Sequence, residues 1–132
     1  MTVTGSERRF ELSLIIPVGP NDEAALQNLL ASIDRQAFPK DRLEVLIMRE
    51  GNSEEARARG IAQAQGDIIG CLDADNQLLG FEFLQTMVNA ASRPGVVGAY
   101  PSHYAWFSTD APLNRYFALL GANDPLAVWL GK

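Results

Sequence analysis

The chain has 132 residues, which is the length of one globular domain with a core of useful size. Hydrophobic residues make up 47% of it and charged residues 20%, as in ordinary soluble folds. Its net charge of −5 provides no basic stripe for a phosphate backbone, so the composition argues against a nucleic-acid-binding protein.

The compartment can be inferred from the single cysteine, Cys71. One cysteine excludes an internal disulfide and fits a reducing environment. No apolar stretch reaches membrane-spanning length and no secretory signal opens the chain, so we expect a cytoplasmic protein. Cys71 lies in an apolar run, which predicts a buried thiol. Residues 1–10 are predicted to form a flexible leader, and residues 11–132 a single domain.

A buried strand followed by an amphipathic helix is predicted at the start of the domain. The apolar run over residues 11–17 ends at Pro17, which cannot donate to a sheet ladder. A loop rich in turn residues follows, and a helix is expected to begin near Asn21 or Asp22. Its apolar residues recur with helical spacing and form one stripe: Leu26, Leu29, Leu30 and Ile33.

The same order of strand and helix then repeats. A second strand is predicted over residues 43–48, and Asn52 is placed to cap the next helix, with Glu55 in the capping-box position. Gly66 is expected to stop that helix, and a third strand follows over residues 67–72. The later predicted elements are a helix with a stripe of Phe81, Leu84, Val88 and Ala91, a fourth strand over residues 96–100, and helices near Pro112 and over residues 124–130.

This alternation predicts a three-layer α/β/α fold with a mostly parallel open sheet. In such folds ligands bind beyond the carboxyl ends of the strands, where the strand order reverses. Three loops are expected at that edge, over residues 17–21, 49–53 and 73–76. The sequence therefore predicts one pocket to which these loops contribute.

Two carboxylates, Asp73 and Asp75, follow the third strand with one residue between them. Hard oxygen ligands suit Mg²⁺ or Mn²⁺, and such an ion can neutralise charge on the phosphates of a nucleotide. The alternative is that the pair consists of solvated carboxylates or helix caps.

Several short segments share an order and spacing with one known family. They are residues 12–17, Asn21-Asp22-Glu23, residues 38–45 from Phe38-Pro39 onward, Ala56-Arg57-Ala58-Arg59-Gly60-Ile61, and Gly66-Asp67-Ile68-Ile69 with Leu72-Asp73-Ala74-Asp75. Together they resemble the N-terminal, nucleotide-sugar-binding half of inverting family 2 glycosyltransferases, which have the GT-A fold. The resemblance covers about residues 12–100. It implies that Asp75, with Asp73 beside it, holds a divalent metal on the donor diphosphate, and Asp73 is also a candidate contact for the donor ribose.

The resemblance also implies contacts to the nucleotide. Arg57 corresponds to a basic residue that contacts the nucleotide, and its guanidinium suits bidentate binding of phosphate. The alternative for Arg57 and Arg59 is a solvated helix face. Glu50 stands where the family has an aspartate that helps to hold the uracil, and Arg49 reverses the charge of the aspartate before it. The uridine is expected to lie along the backbone of Pro17, Val18 and Gly19.

No catalytic base is assigned within this chain. The family places a Glu-Asp pair well downstream of its D-x-D, whereas the only carboxylate side chains after Asp75 are Glu82, Asp110 and Asp124. Asp110 and Asp124 precede predicted helix starts, where capping is the expected role. We therefore expect a truncated domain that binds the donor and lacks the usual acceptor portion.

The predicted activity is inverting transfer of a sugar from a nucleoside-diphosphate sugar, expected to be UDP-linked, to an unknown acceptor. One alternative is a donor-binding or protein-interaction domain without transferase activity. Aromatic side chains crowd the last third of the chain, where self-association is then expected. Contact with a membrane surface is a further alternative, although the predicted aromatic helix lacks the basic face of helices that bind membranes. A second alternative is a phosphatase of the haloacid dehalogenase type, with Asp73 as nucleophile and Asp75 as general acid. His103, the only histidine, is interpreted as an ordinary loop residue and not as a metal ligand.

Overall fold

The computed structural model describes residues 10–101, which form an α/β unit of three strands and three α-helices. The predicted leader, apart from Phe10, and the helices predicted after residue 101 lie outside the described residues. The chain divides after Val97 into two units, and every element described here belongs to the first. In chain order the elements are β1 (Leu12–Pro17), α1 (Glu23–Asp34), a 3-10 turn (Lys40–Arg42), β2 (Leu43–Met48), α2 (Ser53–Gln63), β3 (Ile68–Cys71) and α3 (Phe83–Ala91).

The three strands form an open parallel sheet in the order β2-β1-β3, which confirms the predicted fold class. Leu12 pairs with Leu43 on one side and with Ile68 on the other. All six residues of β1 are buried because the strand has a neighbour on each edge and helices on both faces. The chain passes outward from β1 to β2 and then returns across β1 to β3. The strand order therefore reverses at β1, which is the arrangement that opens a ligand crevice in such sheets.

Alternate side chains of β1 face two different helical layers. Leu12, Leu14 and Ile16 belong to the larger apolar cluster, which includes residues of α1 and α3. Ile15 points to the other face, where it packs with Ala56 of α2. Gly60 of α2 passes so close that a Cβ there would overlap the Ile15 side chain, so the approach requires glycine. Within residues 10–101, no helix combines the length and apolar character that a membrane crossing needs.

Two helix boundaries differ from the prediction. Helix α2 ends at Gln63, before Gly66, because the next amides bond to the strands. The Gln65 amide donates to Glu44 Oε2 at 3.0 Å and the Gly66 amide to Ser13 Oγ at 2.8 Å. Helix α3 begins at Phe83, so the predicted stripe is correct at Leu84 and Val88 but wrong at Phe81, whose side chain is 64% exposed.

The predicted fourth strand is wrong: residues 96–100 form no strand. The Val96 amide instead closes a turn onto the Arg93 carbonyl at 3.1 Å. Val97 is fully exposed, so its β-branched side chain makes no packing contact that would stabilise a strand. Strand propensity expresses packing against neighbours, and these residues have no neighbouring strand in the described part of the chain.

The prediction of a buried thiol at Cys71 is also wrong, since this cysteine is exposed. Along β3, half-buried and exposed residues alternate. Ile69 and Cys71 share the sheet face with Ile15, but α2 packs on β1 and β2. No helix within residues 10–101 packs closely on that face of β3, so Ile69 and Cys71 are exposed there.

Candidate functional site

The three strand ends lie side by side at the carboxyl edge of the sheet. The Val18 amide donates to the Met48 carbonyl at 2.9 Å, and the Leu72 amide donates to the Ile15 carbonyl at 3.0 Å. These bonds join the end of β1 to the ends of β2 and β3. The loops that follow the three strands therefore begin along one line.

The loop after β3 leaves its two carboxylates exposed, while the residue between them is buried. Ala74 is only 3% exposed and packs in the larger apolar cluster, while Asp73 and Asp75 on either side of it are exposed. Asn76 closes the loop: its Oδ1 accepts from the Asp73 amide at 2.9 Å, and its own amide donates to the Asp73 carbonyl at 3.0 Å. This role of Asn76 was not predicted from the sequence, although asparagine after such a pair is a typical turn residue.

Helix α2 brings an arginine to one of these carboxylates. Arg57 Nη2 lies 2.8 Å from Asp73 Oδ1, and both side chains are partly exposed. The helix is fixed at its start by Asn52, whose Oδ1 accepts from the Glu55 amide at 2.9 Å, which confirms the predicted cap. Asp75, in contrast, has no hydrogen-bonding or ion-pair partner within residues 10–101.

The loop after β2 carries two charged residues with different surroundings. Arg49 pairs with Glu23 at the start of α1, with 2.8 Å from Nε to Oε1 and 3.3 Å from Nη2 to Oε2. This hydrogen bond and the charge of Arg49 hold the pKa of the Glu23 carboxyl below its usual value. The reversed charge at Arg49 is therefore compensated within the protein. Glu50 is exposed, and its backbone carbonyl accepts from the Arg59 guanidinium.

The loop after β1 uses its own amides internally. Pro17 has no N–H, the Val18 amide bonds to β2, and the Gly19 amide donates to Asp22 Oδ2 at 2.9 Å. The Val18 side chain is buried in the apolar cluster. The Gly19 carbonyl accepts from the Asp22 amide at 3.2 Å and keeps one lone pair. What residues 17–19 can offer a ligand is therefore carbonyl oxygen, which accepts hydrogen bonds from N–H groups such as that of a uracil imide.

The strand-end carboxylates fit a divalent ion that completes its coordination with other oxygens. Among residues 10–101 there is no group of three or more His, Cys, Asp or Glu side chains that could enclose a metal. Mg²⁺ is commonly held by one or two carboxylates together with water and substrate phosphates. In the described part of the chain Asp75 has no partner and Asp73 is exposed, so both can serve in this way, although the cation of Arg57 beside Asp73 opposes the binding of a metal ion.

As far as residues 10–101 show, the site is an open edge and not an enclosed cavity. A cleft of about 510 Å³ lies around the loop before α3, lined in part by Leu79, Phe81 and Thr86. Another, of about 330 Å³, lies between α1 and β2, lined in part by Leu30 and Val45. Neither includes the carboxylates that follow β3.

One comparison with known proteins gives a match. The family model for glycosyl transferase family 2 matches residues 46–118, which is more than half of the chain. The match includes the last three residues of β2 and all of α2, β3 and α3, and with them Glu50, Arg57, Asp73 and Asp75. No curated protein and no solved structure matches the chain significantly.

Proposed function

We propose that this chain, which belongs to glycosyl transferase family 2, binds a nucleoside-diphosphate sugar at the carboxyl edge of its sheet and contributes to transfer of the sugar. One observation carries the proposal. Ala74 is anchored in the core directly after β3, next to the strand at which the order reverses, and the carboxylates on either side of it are exposed at the carboxyl edge of the sheet. That position is the usual ligand site of open α/β sheets.

The roles of the residues follow from their chemistry. Asp75 and Asp73 hold Mg²⁺ or Mn²⁺, which when bound supplies positive charge for the departing diphosphate. The carbonyls of residues 17–19 and the Glu50 carboxylate accept hydrogen bonds from the base, which we expect to be uracil. The acceptor is unknown, and no residue of this chain is assigned as the base that deprotonates it.

The two other hypotheses have less support. A haloacid dehalogenase-type phosphatase would also need a lysine and an acidic pair after the two aspartates, whereas the only lysine after Asp75 is Lys132. The aromatic surface on which the protein-interaction hypothesis depends falls after residue 101, outside the described residues. Family membership favours sugar transfer over both.

The proposal is tested by calorimetric titration of UDP into the protein, with and without Mn²⁺. We expect Mn²⁺ to strengthen UDP binding, and Asp75→Ala to weaken the Mn²⁺-dependent binding by about tenfold or more, which is the effect of losing about 1.4 kcal/mol. Asp75 has no partner to disturb within residues 10–101, so the substitution should leave the fold intact.

The matched control is Asp41→Ala. Asp41 is also an exposed aspartate, but it lies in the 3-10 turn before β2, at the opposite edge of the sheet. Its loss changes the net charge equally and should leave UDP binding as it is in the wild type. Equal weakening by both substitutions would show a general charge effect, and absence of UDP binding in either condition would refute the proposed donor site.

A further inference from the structure

Asp73 and Asp75 differ in one respect, although the proposed function gives both to the same ion. Asp75 has no partner within residues 10–101, whereas Asp73 accepts from Arg57 at 2.8 Å. A divalent cation on these carboxylates would lie close to the guanidinium, and like charges at that range repel each other. Arg57 therefore opposes a metal ion that arrives alone.

A diphosphate changes this balance because it offers the guanidinium another partner. Arginine binds phosphate oxygens in a bidentate way, with charge-assisted hydrogen bonds that are stronger than neutral ones. The Arg57 side chain is 37% exposed and that of Asp73 is 61% exposed, so the pair is accessible to such a ligand. An ion pair this exposed contributes little stability and is readily exchanged.

Resting on the proposed function, we propose that Arg57 is a coupling residue between the metal and the nucleotide. Its guanidinium pairs with Asp73, transfers to the donor diphosphate when a nucleotide binds, and thereby releases Asp73 for the divalent ion. Each ligand then removes an obstacle to the other. By thermodynamic linkage, Mn²⁺ must strengthen UDP binding by the same factor by which UDP strengthens Mn²⁺ binding.

Only one of the two neighbouring arginines on α2 fits this role. Arg59 donates to the backbone carbonyl of Glu50 and so supports the loop after β2, whereas Arg57 reaches the loop after β3. The loop backbone keeps its supporting contacts when Arg57 leaves. Ala74 is anchored in the core, and Asn76 bonds to the Asp73 backbone and not to its carboxylate. Release of Asp73 therefore needs no rearrangement of the loop backbone.

The test compares Arg57→Gln with the wild type in two titrations. The first is Mn²⁺ alone, followed by electron paramagnetic resonance of the free ion, and the variant should bind Mn²⁺ more tightly by about threefold or more. The second is UDP with and without Mn²⁺, followed by calorimetry. The UDP dissociation constant without Mn²⁺, divided by the constant with Mn²⁺, measures the coupling. This ratio should be lower in the variant than in the wild type by at least about threefold, within the usual range of coupling between sites.

The matched control is Arg42→Gln, which removes an equal charge from an exposed arginine paired with Glu11 at the opposite edge of the sheet. Circular dichroism establishes that both variants fold. If Arg57→Gln and Arg42→Gln give the same Mn²⁺ affinity and the same UDP ratio, the coupling role is refuted while the donor site stands. If the wild type binds no UDP in either condition, the proposed function fails and this inference fails with it.

Discussion

Cys71 illustrates how the position of a residue in the sheet decides its chemistry. Its thiol is exposed on the open face of an edge strand, two residues before Asp73. Exposure alone suggests a reactive group. Partial burial nevertheless raises the pKa of the Cys71 thiol, with the Asp73 charge adding to the rise and the Arg57 charge opposing it. A raised pKa means that less thiolate is present at neutral pH, and the thiolate is the nucleophile.

We therefore expect Cys71 to react slowly with iodoacetamide at neutral pH despite its accessibility. The rate should rise with pH through a midpoint above that of an ordinary cysteine, which is about 8.5. Because the chain has one cysteine, alkylation followed by mass spectrometry reports on this thiol alone. The same protein unfolded in urea is the control and should have the ordinary midpoint. A folded midpoint below the unfolded one would contradict the expected shift.

Glu23 and Asn76 belong to the surroundings of the site, and the sequence analysis assigned neither. Their functions depend on residues that approach only in the fold: Glu23 on Arg49, 26 positions away, and Asn76 on a turn that closes over Asp73. The candidate carboxylates were predictable because they follow an apolar run directly. Residues that position or neutralise others carry no such local signal.

At the scale of elements, α1 supports both the core and the start of α3. Gln36, just beyond α1, is 4% exposed, and its amide bonds to the segment before α3 at two points. Its Nε2 donates to the Gly80 carbonyl at 2.8 Å, and its Oε1 accepts from the Leu84 amide at 3.1 Å. The residue at the N-cap of α3, Glu82, makes no side-chain capping bond. Gln36 therefore caps α3 from a distant part of the chain.

Gln36→Ala should destabilise the protein by about 1–3 kcal/mol, since it leaves the buried Leu84 amide without its partner and removes the partly buried bond to the Gly80 carbonyl. The effect should be greatest at α3, where hydrogen exchange of the amides should become faster than in β1. Gln85→Ala is the matched control, because Gln85 bonds to Asn89 on the exposed side of the same helix. It should change the free energy of unfolding by about 0.5 kcal/mol or less. Equal effects of the two substitutions would contradict the capping role.

The elements were predicted well where the signal is local. The apolar stripe of α1 and the Asn52 cap of α2 are each determined within a few residues, and both are confirmed. The strand predicted over residues 96–100 also has β-branched residues, as the observed strands do. It has no partner strand in the described structure, and it is absent. The apolar spacing that indicates a helix lies within one segment of the sequence, whereas a strand also requires a second strand to pair with.

For the whole molecule, the sheet order makes β1 the centre of stability. Ile16 of β1 is completely buried, whereas Ile69 of β3 is 43% exposed. Ile16→Ala should cost about 2–5 kcal/mol through lost burial and a residual cavity. Ile69→Ala should cost less than about 1 kcal/mol, since the side chain packs against little. Urea unfolding monitored by circular dichroism measures both, and similar losses would show that the open face of β3 is covered in solution.

The sheet order also bears on how the protein is made. Strand β1 is synthesised first but pairs along one edge with residues 43–48 and along the other with residues 68–71. A nascent chain that has completed β2 therefore carries an unpaired apolar edge while α2 is still emerging from the ribosome. Such an edge can recruit another chain. Slow translation between β2 and β3 would lengthen this exposure. A chaperone that binds the nascent chain before β3 emerges would protect β1, at whose carboxyl end the candidate site later forms.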